Sequence, residues 1–178
     1  DQKRADDLVK RNFNADHPDQ LWVSDFTYIQ THSGWVYTAF IIDVFSRAIV
    51  GWKVSTRMNT DMVLDALEQA LHDRGMPKNV IHHSDRGVQY LSIRYTNRLE
   101  AANLRASVGT TGDSYDNALA ETVNGLYKTE VIEYLKADWQ GLADVQLATL
   151  NWVDWFNKKR VHSALGYVSP FEFEAMYY

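Results

Sequence analysis

Three strand-like segments follow one another with almost no sequence between them. LWVSDFTYIQT (21–31), WVYTAFIIDVF (35–45) and RAIVGWKVST (47–56) are rich in aromatic and β-branched residues. Gly34 marks the first turn and the Ser46-Arg47 pair the second, which leaves no room for a helical crossover. The spacing therefore predicts an antiparallel meander of three strands, and the rest of the chain has to fold around it.

Helical and strand patterns alternate after the meander. Apolar residues recur with the helical period at Met62, Val63, Ala66, Leu67, Ala70 and Leu71. The segment NVIHHSD (79–85) has the pattern of a short buried strand, and we expect it to run parallel to the first strand because a helix separates the two. A helix near 92–102, a strand near 105–108 and helices near 114–130 and 140–157 follow. This order predicts an α/β fold: a ribonuclease-H-like mixed five-stranded sheet, with three antiparallel strands and then alternating helices and strands, flanked by helices.

Length and composition limit the class of protein. The chain has 178 residues, which fits one core domain at 21–178, with C-terminal helices and a tail, after a polar lead-in segment at 1–20. It has no Cys, which excludes thiol catalysis and disulfides and fits a reducing cytosol. No apolar run has the length of a membrane span, and no signal-peptide pattern opens the chain. The net charge of −5 weighs against a strong nucleic-acid binder.

Acidic residues in apolar surroundings are the first indication of chemistry. Asp25 lies inside the first predicted strand, where a carboxylate is costly unless it is paired or binds a cation. Asp85 follows a buried strand, at the end of a sheet where α/β proteins place ligands. A capping or turn role is the alternative for either residue. On the helix near 114–130, a polar face carries Ser114, Asn117, Glu121, Asn124, Gly125 and Lys128.

Three carboxylates without cysteine favour a hard cation, Mg²⁺ or Mn²⁺. Two such ions in one site activate the attacking oxygen and stabilise the leaving one in phosphoryl transfer. His82 and His83 are neighbours in a strand and point to opposite faces, so one packs in the core and His83 is the candidate to face the site. A zinc hydrolase built on these histidines stays a weaker alternative, because zinc needs a third ligand.

The motifs together resemble a known family. LWVSDFTYI, VIHHSDRGVQY and GDSYDNALAETVNGLYKTE are similar to the three catalytic blocks of DDE transposases, in particular the IS-three family of insertion sequences. That family shares an integrase catalytic core with retroviral integrases. Between Asp85 and Glu121 lie 35 residues, the D-35-E spacing of the superfamily, and NKKRVHSALGYVSPFEFE resembles the C-terminal signature. The resemblance covers about residues 12–176.

The resemblance implies a function and a set of site residues. Asp25, Asp85 and Glu121 would be the catalytic, metal-binding triad, holding two Mg²⁺ or Mn²⁺ ions. Asn117 would support the site and Lys128 would face DNA phosphate. The family cleaves DNA strands and transfers them by transesterification, with water and then a DNA 3′-OH as nucleophiles. A ribonuclease-H-like nuclease without strand transfer and a non-catalytic binding module are the alternatives.

The resemblance also implies partners. These are the element ends and target DNA, and further copies of the chain in a synaptic complex. We expect a helix-turn-helix region to precede this chain, and the protein to act in the bacterial cytoplasm, at the nucleoid when bound to DNA. A local basic cluster is a second candidate for phosphate contact; it consists of Lys158, Lys159, Arg160 and His162.

Three further expectations concern local structure. Asp43 also lies in an apolar strand, and we interpret it as a structural carboxylate beside the Ser46-Arg47 turn. Trp22, Trp35 and Trp52 have apolar neighbours and are predicted to lie in the core. The glycine-rich segment GTTGDS (109–114) is predicted to be a mobile hinge before the Glu121 helix.

Overall fold

A computed structural model of the chain describes residues 14–84, 93–108, 118–134 and 138–178. Its centre is one mixed sheet of five strands in the spatial order β3-β2-β1-β4-β5. Along the chain the strands are β1 (Leu21–Thr31), β2 (Gly34–Asp43), β3 (Ile49–Ser55), β4 (Ile81–Ser84) and β5 (Arg105–Val108).

The predicted meander and crossovers are confirmed. β1 pairs antiparallel with β2, and β2 with β3, while β4 lies parallel to β1 and β5 parallel to β4. Gly34 begins β2 with φ of +106°, a backbone conformation that residues with a Cβ rarely adopt. This glycine therefore makes the tight turn between the first two strands possible.

Within the described residues five α-helices flank the sheet: α1 (Thr60–Asp73), α2 (Ile93–Ala101), α3 (Ala118–Tyr127), α4 (Leu142–Lys158) and α5 (Pro170–Tyr177). Asn59 caps α1, since its side chain accepts a hydrogen bond from the Met62 N–H at 3.2 Å. α3 continues into a π-helical segment, Lys128–Glu133, which a sequence pattern of period 3.6 does not distinguish from α-helix. Residues 114–117 of the predicted helix, and the GTTGDS segment, lie outside the described residues.

Each face of the sheet has its own hydrophobic core. One cluster joins the sheet to α1 and α2, and its members include Trp22, Ile41, Val50, Val63, Leu67, Leu71, Tyr95 and Leu99. The other joins the sheet to α3 and α4, and its members include Val23, Ile29, Phe40, Val123, Tyr127, Val145, Trp152 and Phe156. Successive side chains of a strand point to opposite faces. In β1 the odd-numbered residues Val23 and Ile29 therefore face α3 and α4, and the even-numbered Trp22 faces α1 and α2.

α1 lies unusually close to β3 at Gly51. A Cβ built on Gly51 would lie 2.3 Å from the backbone oxygen of Ala66, so no side chain fits there. Trp22 is fully buried, as predicted, and Trp52 is partly buried. Trp35 is an error of the sequence prediction: it follows Gly34 at the tip of the β1–β2 hairpin and is half exposed.

A buried charged cluster, the Arg74 cluster, joins distant parts of the chain. The Arg74 guanidinium donates to Asp19 at 2.8 Å and to Glu174 in α5, and it lies 3.6 Å from a carboxylate oxygen of Asp43. Asp43 also accepts the N–H groups of Asp19, Phe45 and Ser46, so the structure accounts for it as a turn residue. Burial raises the pKa of Asp43 to about 6.

The described part of the chain contains no helix that is long and apolar enough to cross a membrane. The boundary between lead-in and core at residue 20 stays a prediction.

Candidate active site

Asp25 lies on the face of β1 that α3 covers. It has the same parity as Val23 and Ile29, which belong to the core under α3, and its side chain is half-buried. One carboxylate oxygen accepts the Phe26 N–H at 2.8 Å, and the other accepts the Asn124 amide at 3.2 Å. Asp25 is thus held between its own strand and α3.

The electrostatics around Asp25 favour a bound cation. Burial raises the pKa of Asp25, and the negative charge of Glu121 raises this pKa further. The Phe26 N–H, the Asn124 amide and the charge of Lys128 act in the opposite direction, yet the net shift is upward. The ionised carboxylate is therefore under-compensated by the protein groups that surround it, and a metal ion would supply the missing charge.

α3 presents its polar residues to Asp25 because its other side is anchored in the core. Ala120, Val123 and Tyr127 are buried, and the Tyr127 hydroxyl bonds Thr149 at 2.7 Å and Thr38 at 3.2 Å. Glu121, Asn124 and Lys128 follow at spacings of three and four residues, which places them along one helix face. Such a row spans about 10 Å of helix.

β4 brings a second strand end to the same place. Ser84, its last described residue, pairs with Ser24, the residue before Asp25. Asp85 is next in the sequence but lies outside the described residues, as does Asn117. Among the residues that the structure describes, no group of three or more potential metal ligands converges.

The donor chemistry fits a divalent cation of the magnesium type. The groups around Asp25 are carboxylate and amide oxygens, which such cations prefer over nitrogen or sulfur ligands. The Oδ1 atom of Asn124 is buried and accepts no hydrogen bond within the described residues. Together with the raised pKa of Asp25, this oxygen makes the surroundings of Asp25 suited to a positive charge.

The two neighbouring histidines lie on opposite faces of β4. His82 pairs with Trp22 and lies with the Tyr95 hydroxyl in the core of α1 and α2, where burial lowers its pKa to about 3. His83 pairs with Val23 and is buried on the face that carries Asp25. The arrangement agrees with the strand alternation, and it makes His83 the histidine on the candidate site's side.

The basic cluster at the end of α4 is mostly occupied by other contacts. Lys158 pairs with Asp154 at 2.7 Å, whereas Lys159 is exposed. Arg160 donates to Glu130 at 2.8 Å. In the described part of the chain none of these three forms a hydrogen bond or ion pair with Asp25.

His162 is not suited to the DNA contact that the sequence suggested. Its ring packs edge-on against Phe156 with 4.8 Å between the centroids, and the residue is buried. Burial and the charge of Arg160 lower its pKa to about 4, so it is uncharged at neutral pH. The structure therefore corrects His162 from a phosphate contact to a packing residue.

Two features of the site were missed from the sequence. Asn124 was placed on the polar face of α3, but its bond to Asp25 was not foreseen, because the helical period does not give side-chain partners. The exposed pair Tyr28 and Trp35 lies beside Lys128, whose ammonium group is 5.7 Å from the centre of the Tyr28 ring. The alternation of β1 gave no sign of this contact.

Comparison with known proteins agrees with the geometry. Family models described as "Integrase core domain" match residues 15–114 and 102–170. A transposase for insertion sequence IS629 from Shigella sonnei is 58% identical over 174 residues, which cover 98% of this chain and 58% of the relative. Transposase InsF for insertion sequence IS3A from Escherichia coli is 38% identical, over 96% of this chain and 59% of the relative.

A putative transposase for IS986/IS6110 from Mycobacterium tuberculosis is 52% identical, over 98% of this chain and 64% of its own length. The chain thus spans about three fifths of the curated relatives that it matches.

Solved structures agree on the fold. The integrase catalytic core of HTLV-2, solved in complex with magnesium, superposes with a TM-score of 0.70 at 19% identity, over 89% of this chain and 97% of that chain. A chain of the simian T-cell lymphotropic virus intasome, in complex with a PP2A regulatory subunit, gives 0.76 at 16% identity, over 98% of this chain and 59% of that chain. The fold is the ribonuclease-H-like fold of integrase catalytic cores. The chain belongs to the integrase core family, and its sequence relatives are transposases of insertion sequences.

Proposed function

We propose that this chain is the catalytic core of an insertion-sequence transposase, which cleaves DNA strands and transfers them by transesterification with divalent metal ions. The proposal rests on the family and on one structural observation. Asp25 is a half-buried carboxylate whose pKa is raised by burial and by the charge of Glu121. It follows Ser24, which pairs with Ser84 at the end of β4, and Asp85 is the next residue after Ser84. A carboxylate whose charge is only partly compensated by its neighbours is costly in the fold, and a bound cation would remove that cost.

In this proposal Asp25, Asp85 and Glu121 hold two Mg²⁺ or Mn²⁺ ions. When bound, such ions supply Lewis acidity to the phosphate and help to deprotonate the attacking hydroxyl. Asn124 fixes the carboxylate of Asp25 through its amide hydrogen bond, and the Phe26 N–H fixes the second oxygen. Lys128 adds positive charge for a DNA phosphate, and Asn117 supports the site from before α3.

The partners follow from the same proposal. They are the two ends of the element, the target DNA and further copies of the chain, since two DNA ends have to meet in one complex. A helix-turn-helix region of the full-length protein would recognise the element ends. The relatives named above are bacterial, so the DNA in question would be that of the cytoplasmic nucleoid.

The decisive experiment is metal binding by this chain. Crystals soaked in Mn²⁺ are expected to show anomalous density at Asp25 and Asp85 in the parent. Asp25→Asn and Asp85→Asn should lose this density. Asp65→Asn serves as matched control, because Asp65 is an exposed residue of α1 paired with Lys53. A parent that binds no Mn²⁺ at these residues would favour the non-catalytic binding module.

The type of reaction is tested on the full-length protein with two DNA substrates. One oligonucleotide presents a free 3′-OH end, and a plasmid serves as target. Joined products that require Asp25 support strand transfer, whereas cleavage without joining would favour a nuclease of the same fold.

A further inference from the structure

Tyr28 and Trp35 form an exposed aromatic pair on a protein whose other large strand aromatics are largely covered. Tyr28 is 58% exposed and Trp35 is 50% exposed, although both lie in central strands of the sheet. Their rings meet edge to face with 5.2 Å between the centroids. Exposing this much aromatic surface costs solvation free energy and is typical of a binding surface.

The pairing register explains how the two rings meet. Tyr28 is opposite Tyr37 and Trp35 is opposite Gln30, so Tyr28 and Trp35 are diagonal neighbours on one face of the β1–β2 ladder. Within the described residues β4 accompanies β1 only from Leu21 to Ser24. Beyond Ser24 no described strand pairs with this edge of β1, and Lys128 reaches Tyr28 there.

Lys128 makes that contact. It is the first residue of the π-helical segment that continues α3, on the face of the sheet that carries Asp25, and its ammonium group lies 5.7 Å from the Tyr28 ring centre. Its charge is also felt at Asp25, whose pKa it lowers against the effect of burial. In the described part of the chain Lys128 has no carboxylate partner, so its charge is available to an anion. Lys128 thus connects the candidate metal site on one side with the aromatic pair on the other.

The distances suit a nucleic-acid strand. A strand rises about 3.3 Å per residue, so Tyr28 lies about 10 Å along β1 from Asp25, and its opposite parity places it on the other face of the sheet. A DNA strand that meets both residues therefore has to pass round the edge of β1 beside Lys128. The separation along β1 alone corresponds to about three nucleotide steps at 3.4 Å each, which is the least length of strand that could reach both. A strand whose phosphate is held at Asp25 would bring a nearby phosphate to Lys128 and a nearby base to Tyr28 and Trp35.

We propose that Tyr28, Trp35 and Lys128 form a stacking platform for an unpaired nucleotide of the DNA strand that enters the site at Asp25. The ligand is single-stranded because bases inside a duplex are already stacked and do not offer their faces to a protein ring. Aromatic rings beside a cation are the usual means by which proteins bind single strands without reading their sequence. This inference rests on the proposed function, and it adds that the DNA beside the reacting phosphate is single-stranded.

The test measures binding of this chain to a short single-stranded oligonucleotide and to a duplex of the same sequence. The single strand carries 2-aminopurine, whose fluorescence is quenched when the base stacks on an aromatic ring. Tyr28→Val and Trp35→Val remove each ring and keep a residue that favours strands. We expect each to weaken single-strand binding by about 5- to 100-fold and to abolish the quenching. Duplex affinity is expected to change less than twofold.

Matched variants separate stacking from folding. Tyr28→Phe and Trp35→Phe keep a ring and are expected to keep both affinity and quenching. Tyr167→Ala removes a tyrosine that is 73% exposed, in the segment between α4 and α5, and is expected to change neither. Thermal unfolding of each variant establishes that it is folded.

Each other outcome has a defined meaning. Unchanged single-strand binding in both Val variants, or no single-strand binding by the parent, would overturn the platform. Equal losses for single strand and duplex would mean a general DNA or assembly contact and would also overturn it. Failure of the proposed function looks different: the parent would hold no Mn²⁺ at Asp25, whatever its affinity for single strands.

Discussion

Asp25 carries a charge that the folded protein tolerates poorly without a cation. Because its folded-state pKa is raised, mainly by burial, the folded state holds this proton more tightly than the unfolded state does. The contribution of Asp25 to the free energy of unfolding therefore falls as the pH rises through the raised pKa. At neutral pH the ionised group destabilises the metal-free protein.

Asp25→Asn is thus expected to raise the melting temperature at pH 7 in the presence of EDTA. The difference should disappear at acidic pH, below the ordinary aspartate pKa of about 3.9, where the parent is neutral too. Added Mn²⁺ at 100 times its Kd is expected to stabilise the parent by about 2.7 kcal/mol and the variant not at all. Thermal scans in EDTA and in Mn²⁺ measure both effects, and equal metal-induced shifts in parent and variant would contradict the assignment.

Lys128 offers a second test at the residue scale. Lys128→Gln removes one phosphate contact, so the slope of log K against log salt for DNA binding should become shallower by about one. Lys53→Gln is the matched control, because Lys53 lies on the edge strand β3, away from the central strand β1 that Lys128 contacts, and pairs with Asp65. Fluorescence anisotropy at several salt concentrations gives the slopes. Equal slopes for all three proteins would exclude Lys128 as a DNA contact.

Residue patterns predicted positions better than they predicted partners. Strand alternation separated His82 from His83, and the helical period put Glu121, Asn124 and Lys128 on one face. The pattern could not give the Asn124–Asp25 bond, which depends on how α3 packs against β1. The pattern also predicted a basic cluster at 158–162, but it could not show that the fold packs His162 against Phe156.

At the scale of elements, α3 is a helix with one anchored side and one side left to a ligand. Tyr127 fixes it to β2 and α4 through two hydroxyl contacts, to Thr38 and to Thr149. Gly125 lies on the exposed part of α3, and nothing in the described structure lies within 4 Å of a Cβ built there. A glycine inside a helix costs stability, so its presence needs another reason.

Gly125→Ala is expected to raise the free energy of unfolding by about 0.5–1 kcal/mol, the usual gain for alanine over glycine in a helix. If this face meets DNA closely, the same variant should bind duplex more weakly. Urea unfolding and anisotropy measure the two quantities. A lower free energy of unfolding for Gly125→Ala than for the parent would contradict the open space around this position in the structure.

Gly51→Ala provides the contrast, because the new Cβ would lie 2.3 Å from the Ala66 oxygen. Separation of α1 from β3 should cost about 1–3 kcal/mol or more. A stability like that of the parent would mean that α1 can move away without loss.

The order and type of the elements were predictable, because the meander and the helical periods are strong local signals. The ends of α3 were not. Its continuation as the π-helical segment Lys128–Glu133 depends on tertiary packing, in which the buried Val131 joins the core with Tyr127. The exposure of Trp35 also follows from its place at a hairpin tip, which an apolar segment does not reveal.

At the scale of the whole molecule, the Arg74 cluster joins the segment before β1, the end of β2, the end of α1 and α5. Three carboxylates share one guanidinium, whose side chain is only 13% exposed. Burial lowers the pKa of Arg74, but its hydrogen bonds to Glu174 and Asp19 and their charges raise this pKa by more, so Arg74 stays protonated throughout the usual pH range. Removing this cation would leave the carboxylates buried and unpaired.

Arg74→Met is therefore expected to lower the free energy of unfolding at pH 7 by about 3–5 kcal/mol. The loss should be smaller at pH 5, because Asp43, with a pKa of about 6, is protonated there and no longer needs the guanidinium. Denaturant titrations at both pH values give the comparison. Arg98→Met is the matched control; it breaks an exposed pair with Glu68 and should cost less than about 1 kcal/mol.

The Arg74 cluster also has a consequence for whatever is joined to this core. Asp19, just before β1, and Glu174, in α5, bind the same guanidinium, so the segment that leads into β1 and the last helix lie side by side. Asp19 is six residues from Asp25, a span of at most about 22 Å. Segments that lead away from Asp19 and from Glu174 would thus start close together and within reach of the candidate site, and the length of each segment would set the effective concentration of any DNA bound at its far end.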